Sequence, residues 1–116
     1  MSIRRIQPGK RLSQAVVSGG LVFTAGIVAD DPVPDAKGQA VQILAQLDAL
    51  LAEAGSDKSR ILSATIWLSD LRHYDALNAA WDTWLAPDAK PARACVEAKL
   101  AFPQYWVEIQ LVAAVH

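Results

Sequence analysis

The sequence predicts an α+β protein in which a mixed β-sheet carries two helices on one face, a two-layer sandwich. Three observations carry that prediction. Several segments alternate apolar and polar residues or are rich in β-formers, and two others repeat apolar residues at helical spacing. The elements follow one another in the order β-β-β-α-β-α-β-β.

Residues 2–6 are expected to form a short first strand. Residues 14–18 (QAVVS) and 21–27 (LVFTAGI) flank Ser18-Gly19-Gly20, a hairpin turn because glycine tolerates positive φ; Gly26 then breaks the second run. The stretch 29–38 (ADDPVPDAKG), with two prolines, reads as a loop. A helix is expected over 39–54, with Val41, Leu44, Leu47, Leu50 and Leu51 as its apolar stripe and Gly55 as its stop. Residues 61–69 (ILSATIWLS) read as a strand with Leu62, Ala64, Ile66 and Leu68 toward the core. Asp70 is placed to cap a second helix over 71–85, with Tyr74, Leu77, Trp81, Trp84 and Leu85 along one stripe and Pro87 preventing continuation. Residues 92–100 and 106–115 form the last two strands around the loop AFPQY, and their spacing suggests an antiparallel hairpin. Two helices cannot hide every apolar strand residue, among them Val16, Phe23, Trp67 and Trp106, so the uncovered face makes the chain a candidate oligomer.

The 116 residues fit one compact domain over 1–116, and 53% hydrophobic with 20% charged residues supplies a core and argues against disorder. A net charge of −1 weighs against nucleic acid as the main partner, and Arg4, Arg5, Lys10 and Arg11 read as a solvated edge. The single cysteine, Cys95, permits no intrachain disulfide, and with His73 and His116 it makes no metal-ligand spacing. No apolar run is long enough to span a membrane, and MSIRRIQPGK leads into no signal-type apolar segment, so a cytoplasmic protein is expected.

The chemistry concentrates in PARACVEAKL, residues 91–100. Arg93, Cys95 and Glu97 alternate with Ala94, Val96 and Ala98, and in the expected hairpin they share a face with Glu108 and Gln110. That face reads in two ways. It is either a solvated surface with ion pairs worth about 0–1 kcal/mol each, or a ligand site. In the second case the planar fork of Arg93 grips a carboxylate and a nearby acid activates water. A simple hairpin register offsets Arg93 and Glu108 by about 13 Å along the strands, a gap for a small carboxylate. Cys95 has three readings: plain packing, pocket lining, or a nucleophile, the last needing a lowered pKa. Asn78 is a buried hydrogen-bonding residue or a site residue, His73 is expected on the solvent side of the second helix, and Asp30 and Asp31 read as loop residues.

With these residues in view, the chain resembles the Rid (reactive intermediate deaminase) family, also called the YjgF or L-PSP family. The resemblance covers nearly the whole chain. Its strongest part is Pro91-Ala92-Arg93-Ala94-Cys95-Val96-Glu97, followed fifteen residues after Arg93 by Glu108 within Val107-Glu108-Ile109. LVFTAG at 21–26, EAGSDKSRI at 53–61, ATIWLSDL at 64–71 and LNAAW at 77–81 add to it in order and spacing. The resemblance implies a chorismate-mutase-like fold, a homotrimer with ligand clefts between subunits, and hydrolysis of enamines and imines such as 2-aminoacrylate to 2-keto acids and ammonia. It implies no metal or organic cofactor. By position, Arg93 matches the arginine that grips the substrate carboxylate, Glu108 the acid near the hydrolytic water, Cys95 the pocket thiol and Asn78 the helix asparagine.

The chain departs from the family pattern at two places. Thr24-Ala25-Gly26-Ile27 stands where the archetype has T-S-G-Q, so Ala25 replaces a serine; Leu12 aligns with a tyrosine that closes the pocket. The resemblance thus points to a divergent subgroup that retains the arginine and the acid. Two other functions are carried beside the deaminase: a non-catalytic module binding a small 2-keto or amino acid, and an endoribonuclease. Net charge and the lack of a histidine pair weigh against the endoribonuclease.

Overall fold

A computed structural model describes residues 2–116; Met1, the first residue of the segment read for a targeting signal, lies outside the described residues. Strands β1 (Arg4–Pro8), β2 (Ser13–Ser18) and β3 (Leu21–Thr24) form an antiparallel meander. Gly19 and Gly20 turn β2 into β3 with φ of 60° and 77°, the left-handed values that a two-residue hairpin needs. β3 ends earlier than expected. Beyond Gly26 only Ile27 stays paired, through a bridge to Ile109.

Helix α1 (Ala36–Glu53) starts before residue 39, because Asp35 caps it by accepting from the Gly38 N–H at 3.2 Å. The end of the proline-rich stretch therefore belongs to the helix. The buried stripe is Ala36, Ala40, Ile43, Leu44, Leu47, Leu50 and Leu51; Val41, expected on that stripe, is exposed. At 100° per residue the flank holding Val41 turns away from the sheet once Ala40 and Ile43 face it. Gly55 stops the helix with φ 82° in a Schellman pair, Ser56 N–H to Leu51 C=O at 2.8 Å and Gly55 N–H to Ala52 C=O at 3.1 Å.

Strand β4 (Ile61–Leu68) turns Ile61, Ala64, Ile66 and Leu68 to the core. Leu62, expected among them, is 50% exposed, because the pairing with the last strand shifts register between Ile61 and Ser63. Asp70 caps as expected, but it caps a 3₁₀ turn, Leu71–His73, that leads into α2 (Tyr74–Trp84).

The order across the sheet is β1-β2-β3-β6-β4-β5, with β5 being Ala92–Glu97 and β6 being Val107–Ala114. The expected hairpin between the last two strands is absent. β5 runs parallel to β4 at the sheet edge, joined to it through α2, and β6 inserts antiparallel between β3 and β4. The physical reason lies in the two rows of each strand. β6 carries the fully apolar row Val107, Ile109, Leu111 and Ala113, which a central slot buries completely. β5 carries Arg93, Cys95 and Glu97, which an edge tolerates.

Register also overturns the expected common face. Arg93, Cys95 and Glu97 lie opposite Ala64, Ile66 and Leu68, which pair in turn with Leu111, Ile109 and Val107. That is the helix side of the sheet. Glu108 and Gln110 lie opposite Trp67 and Thr65, on the other side.

Both helices pack on one face, over a core in which Ile43, Leu47, Ile66, Leu77, Ile109 and Leu111 are fully buried. Each such side chain contributes about 1.5–3 kcal/mol of apolar burial. Gln39, 0% exposed, is the one large polar side chain in this layer. Its amide donates to the carbonyls of Val33 (2.9 Å) and Gln104 (3.0 Å) and accepts from the Trp106 N–H (2.9 Å). The opposite face of the sheet has no cover within the chain: Phe23 is 43% and Val96 46% exposed there. Trp106, expected among these uncovered residues, instead stacks on His73, with ring centroids 4.7 Å apart and planes 7° from parallel. His73 is therefore half-buried and not on the solvent side.

Candidate functional site

The candidate residues separate into two groups. The first surrounds Arg93. Its guanidinium lies 5.6 Å from the Trp81 ring and 5.7 Å from the Tyr74 ring, and Nη2 donates to the Tyr74 hydroxyl at 3.3 Å. Tyr74, Asn78 and Trp81 follow one another at i, i+4 and i+7 on α2, so one stripe of that helix stands over β5. Two aromatic faces hold the cation by its quadrupole attraction while leaving its N–H fork without an anion. Among the described residues Arg93 has no ion-pair partner; the ion pairs are Arg72–Asp70 and His116–Asp57.

Cys95 follows on the same side of β5, half-buried. Burial pushes its thiol pKa up, and the charge of Arg93 opposes that only in part. The sulfur is therefore held protonated near neutrality, the opposite of what a nucleophile needs. Glu97 completes the row but is committed elsewhere, accepting from the Leu71 N–H at 3.0 Å. It anchors the turn before α2.

The second group surrounds Glu108. A Cβ at position 26 would overlap the Glu108 carboxylate, so only glycine allows this approach. Burial raises the Glu108 pKa, with no opposing charge nearby to lower it. Ala25 sits beside it, its N–H bonded to the Gln14 carbonyl at 2.8 Å, and Gln110 secures the strand end by donating to the Thr24 carbonyl at 3.1 Å. Ala25, Gly26 and Leu12 line a cavity of about 520 Å³ at the end of the sheet, floored by α1.

One chain thus places Leu12 and Ala25 at the cavity floored by α1, Glu108 against Gly26 on the opposite face of the sheet, and Arg93, Cys95 and Asn78 at the β5 edge. Arg93 and Glu108 lie on opposite faces, two strand spacings (about 10 Å) apart across the sheet and three positions of β4 (about 10 Å) apart along it. The residues missed in the sequence are Tyr74 and Trp81, read only as an apolar stripe, and Gly26, read only as a strand break. The signal for the first two was their spacing around Asn78 on the helix that precedes the arginine strand.

Among the described residues no group of three His, Cys, Asp or Glu side chains could hold a metal ion, and no helix is long and apolar enough to cross a membrane.

Comparison with known proteins gives a consistent result. The family model described as endoribonuclease L-PSP matches residues 2–115. The RutC family protein YoaB of Escherichia coli K12 is 43% identical over 115 residues, covering 99% of this chain and 100% of that protein. A RutC family protein of Haemophilus ducreyi is 42% identical over 114 residues, covering 98% and 97%. A crystal structure of a YjgF family member from Neisseria meningitidis superposes with a TM-score of 0.97 at 44% identity, covering 100% of this chain and 97% of that one. Sequence, register and fold agree on one placement: the chain belongs to the Rid family, known equally as the YjgF, RutC or L-PSP family.

Proposed function

We propose that the protein hydrolyses reactive enamines and imines bearing a carboxylate, giving a 2-keto acid and ammonia. The observation that carries this reading is the Arg93 guanidinium, framed by Tyr74 and Trp81 and lacking an ion-pair partner among the described residues. Such a fork suits a substrate carboxylate. Glu108 assists water. Because the two groups lie on opposite faces of one sheet, the reading requires a second copy to complete each site. The uncovered apolar face with Phe23 and Val96 supports a homotrimer with clefts between subunits.

In the proposed reaction an enamine first tautomerises to the imine. Water oxygen bonds to the imine carbon as the C=N pair moves to nitrogen. Glu108 takes a proton from that water and returns one to nitrogen. The hydroxyl of the resulting carbinolamine then gives up its proton, which Glu108 passes to the nitrogen, as the C–N bond breaks, ammonia leaves and the carbonyl forms. Orientation supplies much of the acceleration, and proton transfer by Glu108 adds about 10²–10⁴-fold. Cys95 stays a thiol and lines the site, with Asn78 beside it. No metal or organic cofactor takes part, and the reaction suits a cytoplasmic setting.

The test is ammonia and 2-keto acid release from freshly generated imino acids. Arg93→Ala is expected to lose about 10²–10³-fold in kcat/KM, while its oligomeric state is retained. Normal turnover in that variant would remove Arg93 from the mechanism.

A second reading is favoured by Ala25 and Leu12, which supply no hydroxyl to the cavity they line: a binding module for a small carboxylate, without turnover. Binding of 2-keto acids with no acceleration of any imine would establish it. The endoribonuclease in the family model's description fits less well, given a net charge of −1. RNA cleavage by nuclease-free protein, lost in Glu108→Gln, would restore it.

A further inference from the structure

A groove between α1 and α2 holds a cavity of about 380 Å³, within the range of small-ligand sites. Lys37, Val41 and Leu44 follow one another at i, i+4 and i+7 on α1, and Ala80, Thr83 and Trp84 at i, i+3 and i+4 on α2, so one stripe of each helix faces the groove. Leu44 and Ala80 are buried and make its floor, and Val41, 53% exposed, is its apolar rim. The groove belongs to the helix layer, so a second copy seated on the uncovered face of the sheet leaves it open.

Its lining holds two cations and no acid. Trp84 Nε1 donates to the Asp48 carboxylate at 2.9 Å, which pins the indole, and the Thr83 hydroxyl donates to the Ala79 carbonyl at 3.1 Å. Each of these side chains has a single polar hydrogen, so neither keeps a donor free. Lys37 and Lys58 carry three N–H donors each and have no ion-pair partner among the described residues. Lys58 opens the 3₁₀ turn that follows α1, and its Nζ lies 5.5 Å from the centre of the Trp84 ring, held over the ring by cation–π attraction.

The two cations mark opposite ends of the groove. Lys37 stands in the first turn of α1, whereas the indole beneath Lys58 bonds to Asp48, at i+11 on the same stripe. At 1.5 Å per residue that is about 16 Å of helix axis, a span that the flexible lysine stems shorten. Independently of the hydrolase reading, we infer that the groove is a second ligand site, for a slender apolar molecule with an anionic group at each end, such as an aromatic dicarboxylate. Its apolar middle lies along Val41, Leu44 and Ala80; one anion meets Lys37 and the other Lys58.

The test uses four biphenyl probes on the full chain: one with a carboxylate at each end, one with a single carboxylate, the uncharged diol and the diamine. The readouts are calorimetric affinity and the NMR signal of the Trp84 indole N–H, identified by its loss in Trp84→Phe. Each lysine contact is expected to contribute about threefold, so the dicarboxylate should bind about tenfold more tightly than the diol, with the monocarboxylate between them and the diamine weakest. The Trp84 signal should move with the dicarboxylate. In Lys37→Gln or Lys58→Gln the dicarboxylate should fall about threefold, to the level of the monocarboxylate. Arg93→Ala should leave both readouts unchanged. Equal affinity for dicarboxylate and diol, no loss in either lysine variant, or a Trp84 signal that stays still would each overturn the site. Binding that disappears in Arg93→Ala and survives both lysine changes would place the probe at Arg93 and overturn it as well.

Discussion

Arg93 and Glu108 are both half-buried charges near the ends of strands, yet their surroundings treat charge in opposite ways. Arg93 rests between the faces of Tyr74 and Trp81, with its charge compensated by ring quadrupoles and one phenol oxygen. Glu108 is pressed against the backbone at Gly26 with nothing to compensate it, and its pKa rises in consequence. The first environment keeps a charge permanent and its donors available. The second makes a charge easy to neutralise. An anchor needs the former and a group that exchanges protons needs the latter, so the contrast separates binding from chemistry before any ligand is considered.

The strongest way to break this contrast is Glu108→Gln. If Glu108 is the proton carrier, the change should cost about 10²–10⁴-fold in kcat with little change in KM. In the wild type, kcat/KM should fall as pH drops through the carboxyl pKa, with the acid limb lying above the ordinary value of 4.5. Stability runs the other way. A raised carboxyl pKa means that the folded state prefers the protonated form, so its contribution is complete at low pH and is lost as pH rises through the folded pKa. Glu108→Gln should therefore melt at or above the wild-type temperature at pH 7, with the gap closing below pH 4. A variant less stable at pH 7 than at pH 4, relative to wild type, would contradict a desolvated Glu108.

Gly26→Ala comes next. Its Cβ must displace the Glu108 carboxylate, at a cost of about 1–3 kcal/mol if the strand end gives way. The expected result is a loss in kcat of about tenfold or more, with 2-keto acid binding through Arg93 largely kept. Equal losses in binding and turnover would show that the two groups are not separable. Tyr74→Phe is the mildest. It removes one hydroxyl bonded to Arg93 and keeps the ring, so KM should rise about 2- to 10-fold with kcat held. A fall in kcat alone would mean that Tyr74 serves the reaction and not the anchor.

Much of the fold was legible in the sequence because local physics writes it there. Gly19-Gly20 could only be a left-handed turn, Gly55 a helix stop, and the leucine spacing of α1 a buried stripe. What failed was non-local. Nine residues lie between Glu97 and Val107, and adjacency in sequence suggested adjacency in the sheet; the apolar row of β6 won the central slot instead. From that single error followed the wrong face for Arg93, since alternation fixes which residues share a side but not which side it is. An edge strand can turn a polar row toward the helix layer because at the edge that row stays only partly buried and its charge finds the ring faces of Tyr74 and Trp81. Gln39 was illegible for a related reason: a polar residue within a helix gives no sign that two distant loops will converge on it.

That convergence has a consequence for how the molecule opens. The Gln39 amide joins the segment before α1, at Val33, to the segment before β6, at Gln104 and Trp106. Neither segment can lift without breaking the same side chain's bonds. Their breathing is one event, so the Trp106 amide should exchange its hydrogen no faster than the latch at Gln39 releases. A chain with irregular stretches before its first helix and before its last strand thereby has one slow clock where two fast ones would be expected.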